Sequence, residues 1–173
     1  MRRRTRRRVW GTVAGAAGGV AAAFVMNQFQ AVWGRAEKKV NPPPPEEKGK
    51  KGGDDATVQT AAGISKTVFR HELTQNEKKW AGPAVHYAFG GLVGALYGAM
   101  ASTNRMAMAG GGTGYGSAVW LLADEIGVPA AGLSAPPTKT PPMKHLQAWA
   151  SHLVYGLVTE GTRRAILKAA RVR

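Results

Sequence analysis

Small and apolar residues are concentrated in four stretches of the chain that contain no Lys, Arg, Asp or Glu. These stretches cover residues 9–34, 80–104, 106–123 and 145–159. A helix needs roughly 20 such residues to cross the hydrocarbon core of a bilayer. The first two stretches meet that length, the third reaches it by continuing to residue 127, and the fourth is short. The pattern predicts four spans, with three spans plus one re-entrant or interfacial segment as the alternative.

Glycines recur at four-residue spacing inside these stretches. Residues four apart lie on one face of a helix, and a ridge of glycines lets two helix backbones approach closely. The predicted packing ridges are Gly11, Gly15 and Gly19; Gly90, Gly94 and Gly98; and Gly110 with Gly114, with Gly112 and Gly116 on the next ridge. The predicted fold is therefore all-α: a polytopic transmembrane helical bundle of about four glycine-rich spans plus one amphipathic surface helix.

The connection between the first two spans has two parts. Residues 35–55 are rich in proline and charge, which predicts an extended and disordered loop. Residues 56–73 return to a helical pattern, which predicts an amphipathic helix on the membrane surface or on the bundle. Its expected apolar side consists of Val58, Ala61, Ala62, Phe69 and Leu73.

Local signals predict where the later helices begin and end. Thr74 and Glu77 form a capping-box pattern, and Gly82-Pro83 predicts a break before the second span. Pro129 is expected to end the third helix, and Pro142 to lie at the start of the fourth. The predicted divisions are a basic cytoplasmic tail (1–8), the first transmembrane helix (9–34), the Pro-rich loop (35–55), the amphipathic helix and connector (56–79), the second to fourth transmembrane helices (80–168) and a basic tail (169–173).

The net charge of +14 is distributed at the ends of the predicted spans. Arginines precede the first span and basic residues follow Glu160, where they orient a membrane protein and attract anionic lipids. This distribution favours a lipid bilayer with anionic lipids as the partner over nucleic acid, with a homo-oligomer left open. Both termini are expected in the cytoplasm, although the basic residues of the 35–79 loop oppose that orientation. A cleaved secretory signal at the N-terminus is the less favoured alternative.

Several short motifs together resemble a known family. They are residues 15–24 followed by the proline run, 86–89 leading to Tyr97-Gly98, 132–137, and 151–155 leading to Glu160 and Arg163-Arg164. In these the chain resembles the YagU-like family of small bacterial inner-membrane proteins. The resemblance implies a multi-pass inner-membrane protein loosely associated with acid tolerance, and it carries no known catalytic residue. Pro45-Glu46-Glu47 departs from a family pattern in which an arginine follows the prolines.

Ionisable residues within the spans form a candidate polar site. With the N-terminus inside, His86, Asp124, Glu125 and His152 share one depth in the outer half of the membrane. His145, His152 and Glu160 also share one face of the fourth helix, so His145 and Glu160 are secondary candidates. Ionisable groups in a membrane are costly and indicate function, such as a proton relay or ion path. The alternative is structural: neutral interhelical hydrogen bonds for the histidines and an i,i+4 pair of Glu160 with Arg164.

Other chemistry has little support in the sequence. No His-Glu-x-x-His motif is present, and the glycines at 110–116 lack the Gly-Lys-Ser/Thr of a phosphate loop, so neither a metal nor a cofactor is expected. No nucleophile and base can be paired, so an enzyme fits least. We expect a non-enzymatic inner-membrane protein with a structural, envelope or acid-stress-related role. The second hypothesis is a proton- or ion-handling protein that uses the His/carboxylate residues.

Overall fold

A computed structural model describes residues 3–42 and 56–172, and helices make up most of this part of the chain. Most of the predicted Pro-rich loop, residues 43–55, lies outside the described residues. We number five helices, three of which are α1 (Arg3–Val40), α3 (Gln75–Ala101) and α5 (Pro142–Ala169). The helix α2 consists of Ala56–Ile64 and a π-helical turn, Ser65–Phe69. The helix α4 consists of Thr113–Val119, a π-helical segment Trp120–Gly127, and Val128–Ala130.

The described residues contain no β-strand, which confirms the all-α prediction. The long helix α1 lies at the centre, antiparallel to both α3 and α5, while α4 packs against α5 and α2 against α3. Near the middle of the bundle Ala22, Met26 and Tyr155 form the buried apolar core. The hydroxyls of Tyr155 and Tyr115 donate hydrogen bonds to the backbone carbonyls of Gly90 and Val93 in α3. These bonds connect α4 and α5 to α3.

The helices α1 and α3 meet through glycines. A methyl group added to Gly15 would lie 2.7 Å from the Cα atom of Gly98, and one added to Gly94 would lie 2.7 Å from the Cα atom of Gly19. Added methyl groups at Gly11 and Gly90 would also contact the opposite helix too closely. The two backbones are therefore in direct contact, at a separation that any side chain on these ridges would increase.

The third predicted ridge is placed differently. The predicted helix from residue 106 begins only at Thr113, because Arg105–Gly112 is a 3₁₀ segment in which three successive glycines, residues 110–112, have positive φ. Gly110 faces Thr113, three residues further along the chain, and Gly114 is exposed, so the expected packing role of both is wrong. The glycines that meet α5 are Gly112 and Gly116, next to the backbones of Gly156 and His152.

The connection between α2 and α3 differs from the prediction in length. The helix α2 ends at Phe69 and not at Leu73, because Arg70 has a left-handed backbone (φ 54°) and its N–H bonds to the carbonyl of Ser65. The buried face of α2 contains Ala61 and Ser65, while Phe69 is exposed. The amphipathic pattern therefore holds for the first turns of the segment only.

The start of α3 confirms the capping box and corrects the predicted break. The Glu77 N–H donates to Thr74 Oγ1 at 3.3 Å, and the Thr74 N–H donates to Glu77 Oε2 at 2.7 Å. From this cap the helix continues through Pro83 to Ala101. Pro83 removes one backbone hydrogen bond without ending the helix. The predicted break at Gly82-Pro83 is wrong, and Gly82 instead packs against Val58 of α2.

The end of α4 and the start of α5 follow the local signals. Pro129 lies in the last turn of α4, and Gly132, two residues after the helix ends, has a φ of +72°. The N–H groups of Gly132 and Leu133 donate to the carbonyls of Pro129 and Val128, which is the pattern of a Schellman motif. The helix α5 begins at Pro142, since proline is pre-organised for the first helical position.

Two of the described helices, α1 and α3, are long and apolar enough to cross a membrane. The described parts of α4 and α5 do not reach that length and hydropathy together. The helix α1 also extends beyond the predicted span at both ends. It includes the arginines before residue 9 and the segment 35–40, which was predicted to be part of the loop.

Candidate functional site

A cavity of about 720 Å³ lies beside the C-terminal half of α1 and the C-terminal part of α4. All five helices contribute to its wall, and α2 covers one side through Thr57 and Thr60. The ionisable residues that line it include the four primary candidates and one secondary candidate: His86, Asp124, Glu125, His145 and His152. The structure thus brings together side chains from α3, α4 and α5 that are far apart in the sequence.

His145 and Glu125 form the closest pair in the cavity. The Nδ1 atom of His145 lies 2.7 Å from Oε1 of Glu125, and its Nε2 atom lies 3.1 Å from the carbonyl oxygen of Pro137. A carbonyl and an ionised carboxylate can only accept hydrogen bonds, so both ring nitrogens must donate. With Glu125 ionised, this geometry selects the imidazolium form of His145.

His152 and Asp124 form a looser pair. The Nδ1 atom of His152 lies 2.9 Å from the carbonyl oxygen of Ala148, one turn earlier in α5, and 3.8 Å from Oδ2 of Asp124. The bond to the carbonyl requires a proton on Nδ1, which leaves Nε2 as the atom that can gain or lose a proton. The His152 side chain is buried, whereas the Asp124 side chain is 41% exposed and accessible from the cavity.

His86 completes the histidine group from the opposite wall. Its Nε2 atom is buried and has no hydrogen-bond partner in the part of the chain that the structure describes. Its ring lies against Tyr87 with the ring centroids 5.7 Å apart. A buried polar atom without a partner costs free energy, so this nitrogen is a position where a proton or a polar ligand would be stabilising.

Glu160 belongs to a second cluster nearer the other end of the bundle. Its carboxylate is 2% exposed and accepts hydrogen bonds from the Tyr97 hydroxyl (2.8 Å), Arg163 Nε (2.6 Å), Arg163 Nη2 (2.9 Å) and Arg164 Nε. The predicted pair with Arg164 is therefore present. Sequence reasoning missed the roles of Arg163 and Tyr97, although the i,i+3 spacing of Glu160 and Arg163 was a usable signal.

The cavity offers proton chemistry more readily than metal chemistry. Among residues 3–42 and 56–172 no three His, Cys, Asp or Glu side chains are arranged to hold a metal ion. Two of the three histidines instead lie next to a carboxylate, His145 next to Glu125 and His152 next to Asp124. Such pairs can store protons and exchange them as pH changes.

The comparisons with known proteins give a family without an assigned activity. The family described as "Protein of unknown function (DUF1440)" matches residues 32–161. The chain belongs to this family. The match is consistent with the resemblance to YagU-like proteins and contains every ionisable residue of the cavity. No curated protein and no solved structure matches the chain.

Proposed function

We propose that this protein is a multi-pass protein of the bacterial inner membrane in which α1, α3, α4 and α5 all cross the bilayer. Large apolar side chains are exposed on the outer surface of each of these helices, which suits contact with lipid tails. Those on α4 and α5 include Leu121, Leu122, Ile126, Leu146 and Leu157. Because the four helices alternate in direction, the start of α1 and the end of α5 would lie on one side of the membrane, and the basic residues there favour the cytoplasm.

This topology can be tested by cysteine labelling, because the chain has no cysteine of its own. Ser134 lies in the exposed loop before α5 and Thr103 in the exposed turn after α3, at opposite ends of the bundle. We expect Ser134→Cys to react with a membrane-impermeant maleimide in intact spheroplasts. Thr103→Cys should react only after permeabilisation. The reverse pattern, or labelling of both in intact spheroplasts, would contradict the topology.

We propose further that the protein is non-enzymatic and that its cavity takes up and releases protons. The observation that carries this proposal is the convergence of three histidines and two carboxylates on one cavity. Histidine changes charge between about pH 5 and 8, so the cavity gains positive charge as the outer medium becomes acidic. Two of the three imidazolium groups would face a carboxylate, and the buried Nε2 atom of His86 has no hydrogen-bond partner among the described residues.

A route towards the other side of the membrane follows the buried face of α5. Tyr155 lines the cavity, and Thr159 and Glu160, four and five residues further along α5, are buried. Polar side chains inside a transmembrane bundle mark ion and proton pathways. This row of polar side chains supports the proposal that the protein conducts protons. A family association with acid tolerance fits such an activity.

Proton flux into proteoliposomes tests the proposal. We expect an imposed outer pH of about 5 to acidify the lumen faster with wild-type protein than in protein-free vesicles, because histidine is protonated in that range. The double variant His86→Asn/His152→Asn should lose most of this flux. A matched control is His71→Asn, since His71 is exposed and pairs with Glu77 outside the cavity.

Two results would contradict proton handling and favour a purely structural role in the envelope. One is a wild-type flux equal to that of protein-free vesicles, with NMR showing all cavity histidines titrating as free imidazole. The other is an equal loss of flux in the cavity variant and in His71→Asn, because that would trace the effect to the protein as a whole.

A further inference from the structure

The end of the bundle opposite the cavity concentrates positive charge. The start of α1, the turn after α3 and the end of α5 meet there, as shown by the 3.5 Å contact of Ser102 Oγ with the Arg7 carbonyl and the 3.1 Å contact of Arg163 Nη2 with Met108 Sδ. Among the described residues the one carboxylate at this end is Glu160, which is buried and already paired. The exposed basic residues of this end are Arg4, Arg6, Arg7, Arg8, Arg105, Arg164, Lys168 and Arg171.

Three of these cations share a groove with two apolar side chains. Arg164 and Lys168 are four residues apart, so they lie on one side of the last turns of α5, and Arg171 follows two residues after the helix ends. Together with Leu167 and Val172 they line a groove of about 600 Å³. Arg164 uses Nε to hold Glu160, yet its side chain is 61% exposed, so its outer nitrogens can bind another anion.

The backbone at the end of α5 keeps Arg171 in this groove at a conformational cost. Arg171 has a φ of +50°, a left-handed conformation that normally favours glycine. The N–H groups of Arg171 and Val172 donate to the carbonyls of Lys168 and Leu167, which completes a Schellman motif. A non-glycine residue in a strained conformation points to a use for its side chain.

We propose that this groove binds the phosphate of an anionic membrane lipid. Two arginines and one lysine line the groove, and arginine binds phosphate oxygens in a bidentate manner. Leu167 and Val172 would contact the beginning of an acyl chain. The partial negative charge at the helix C-terminus opposes an anion, but it is smaller than one unit charge and three cations outweigh it. The site requires the membrane location proposed above but is independent of proton handling.

Thermal melting of the detergent-solubilised protein with added lipid tests the site. We expect phosphatidylglycerol or cardiolipin to raise the melting temperature, and phosphatidylcholine to have little effect. The triple variant R164Q/K168Q/R171Q should bind the anionic lipid about a hundredfold more weakly, since it removes the charge-assisted hydrogen bonds that would hold the phosphate in the groove. Inorganic phosphate is the probe for the free ion, and a rise equal to that with lipid would overturn the assignment to a lipid.

The matched control is R6Q/R7Q/R105Q, which removes the same charge from the same end of the bundle but outside the groove. We expect it to retain most of the lipid affinity. Equal losses in the two triple variants, or no loss in either, would show that no defined site exists. A further variant, R171G, separates binding from folding: it should melt at the same or a higher temperature without lipid and respond less to lipid, because glycine adopts the positive φ without strain.

Discussion

Replacing Glu160 with leucine is expected to lower the free energy of unfolding by about 3–5 kcal/mol, the range for breaking a buried ion pair. The Arg163 guanidinium is buried, and among residues 3–42 and 56–172 it pairs with one carboxylate, that of Glu160, while the Tyr97 ring lies 5.9 Å from the guanidinium carbon. Removing the carboxylate leaves this charge and the Tyr97 hydroxyl without their acceptor. Denaturation in detergent, followed by tryptophan fluorescence, measures the loss.

Two further variants test whether the loss of stability comes from the unpaired buried charge or would follow from any substitution of a glutamate. Glu160→Leu combined with Arg163→Leu should recover much of the lost stability, because it removes both buried charges together. Glu37→Gln is the surface control, since Glu37 pairs with an exposed Lys144 at 3.2 Å and such pairs contribute about 0–1 kcal/mol. If Glu160→Leu and Glu37→Gln destabilise the protein equally, the central role of the buried cluster is refuted.

Gly94→Leu should separate α1 from α3. We expect it to lower the free energy of unfolding by about 1–3 kcal/mol, the range for overpacking a tight core. A Cβ atom at Gly94 would already lie 2.7 Å from the Cα atom of Gly19, and the atoms it meets are backbone atoms that cannot rotate away. The melting temperature in detergent is the measurement, with circular dichroism to show that the helices persist.

Leu92→Ala and Gly161→Ala are the controls for this ridge. Leu92 lies two residues from Gly94 but is 70% exposed, so its truncation should have little effect. Gly161 is a helical glycine with open space around it, and alanine there should stabilise by roughly 0.4–1 kcal/mol. Equal melting temperatures for Gly94→Leu and Leu92→Ala would contradict the close approach of the two backbones.

The helices could be predicted from sequence because their signals are local. The apolar stretches identify α1, α3 and α5, and the cap at Thr74 and the proline at 142 fix two helix starts. The failures arise where backbone conformation depends on tertiary contacts. In sequence terms Gly110 could equally have continued a helix or adopted a positive φ. In the structure its φ is positive, and Gly112 then contacts the backbone of Gly156.

The candidate site was predictable in its composition but not in its pairing. The orientation rule placed His86, Asp124, Glu125 and His152 at one depth, and the cavity contains all four. Depth alone cannot decide that His145 pairs with Glu125 while His152 lies near Asp124, because pairing depends on the rotation of each helix. Tyr97 reaches Glu160 across 63 positions of sequence, a distance at which spacing carries no information.

The π-helical segment of α4 sets the direction of the two cavity carboxylates. In Trp120–Gly127 the turns are wider than those of an α-helix, and the Val128 N–H reaches back to the carbonyl of Ala123. Successive residues there are separated by less than the roughly 100° of an α-helix, which helps Asp124 and Glu125 to face the same cavity. Removing one residue from this segment would return it to α-helical geometry and turn the carboxylates away from the side of α4 that carries Gly112 and Gly116. The number of residues between glycine and carboxylate is therefore as much a part of this site as their identity.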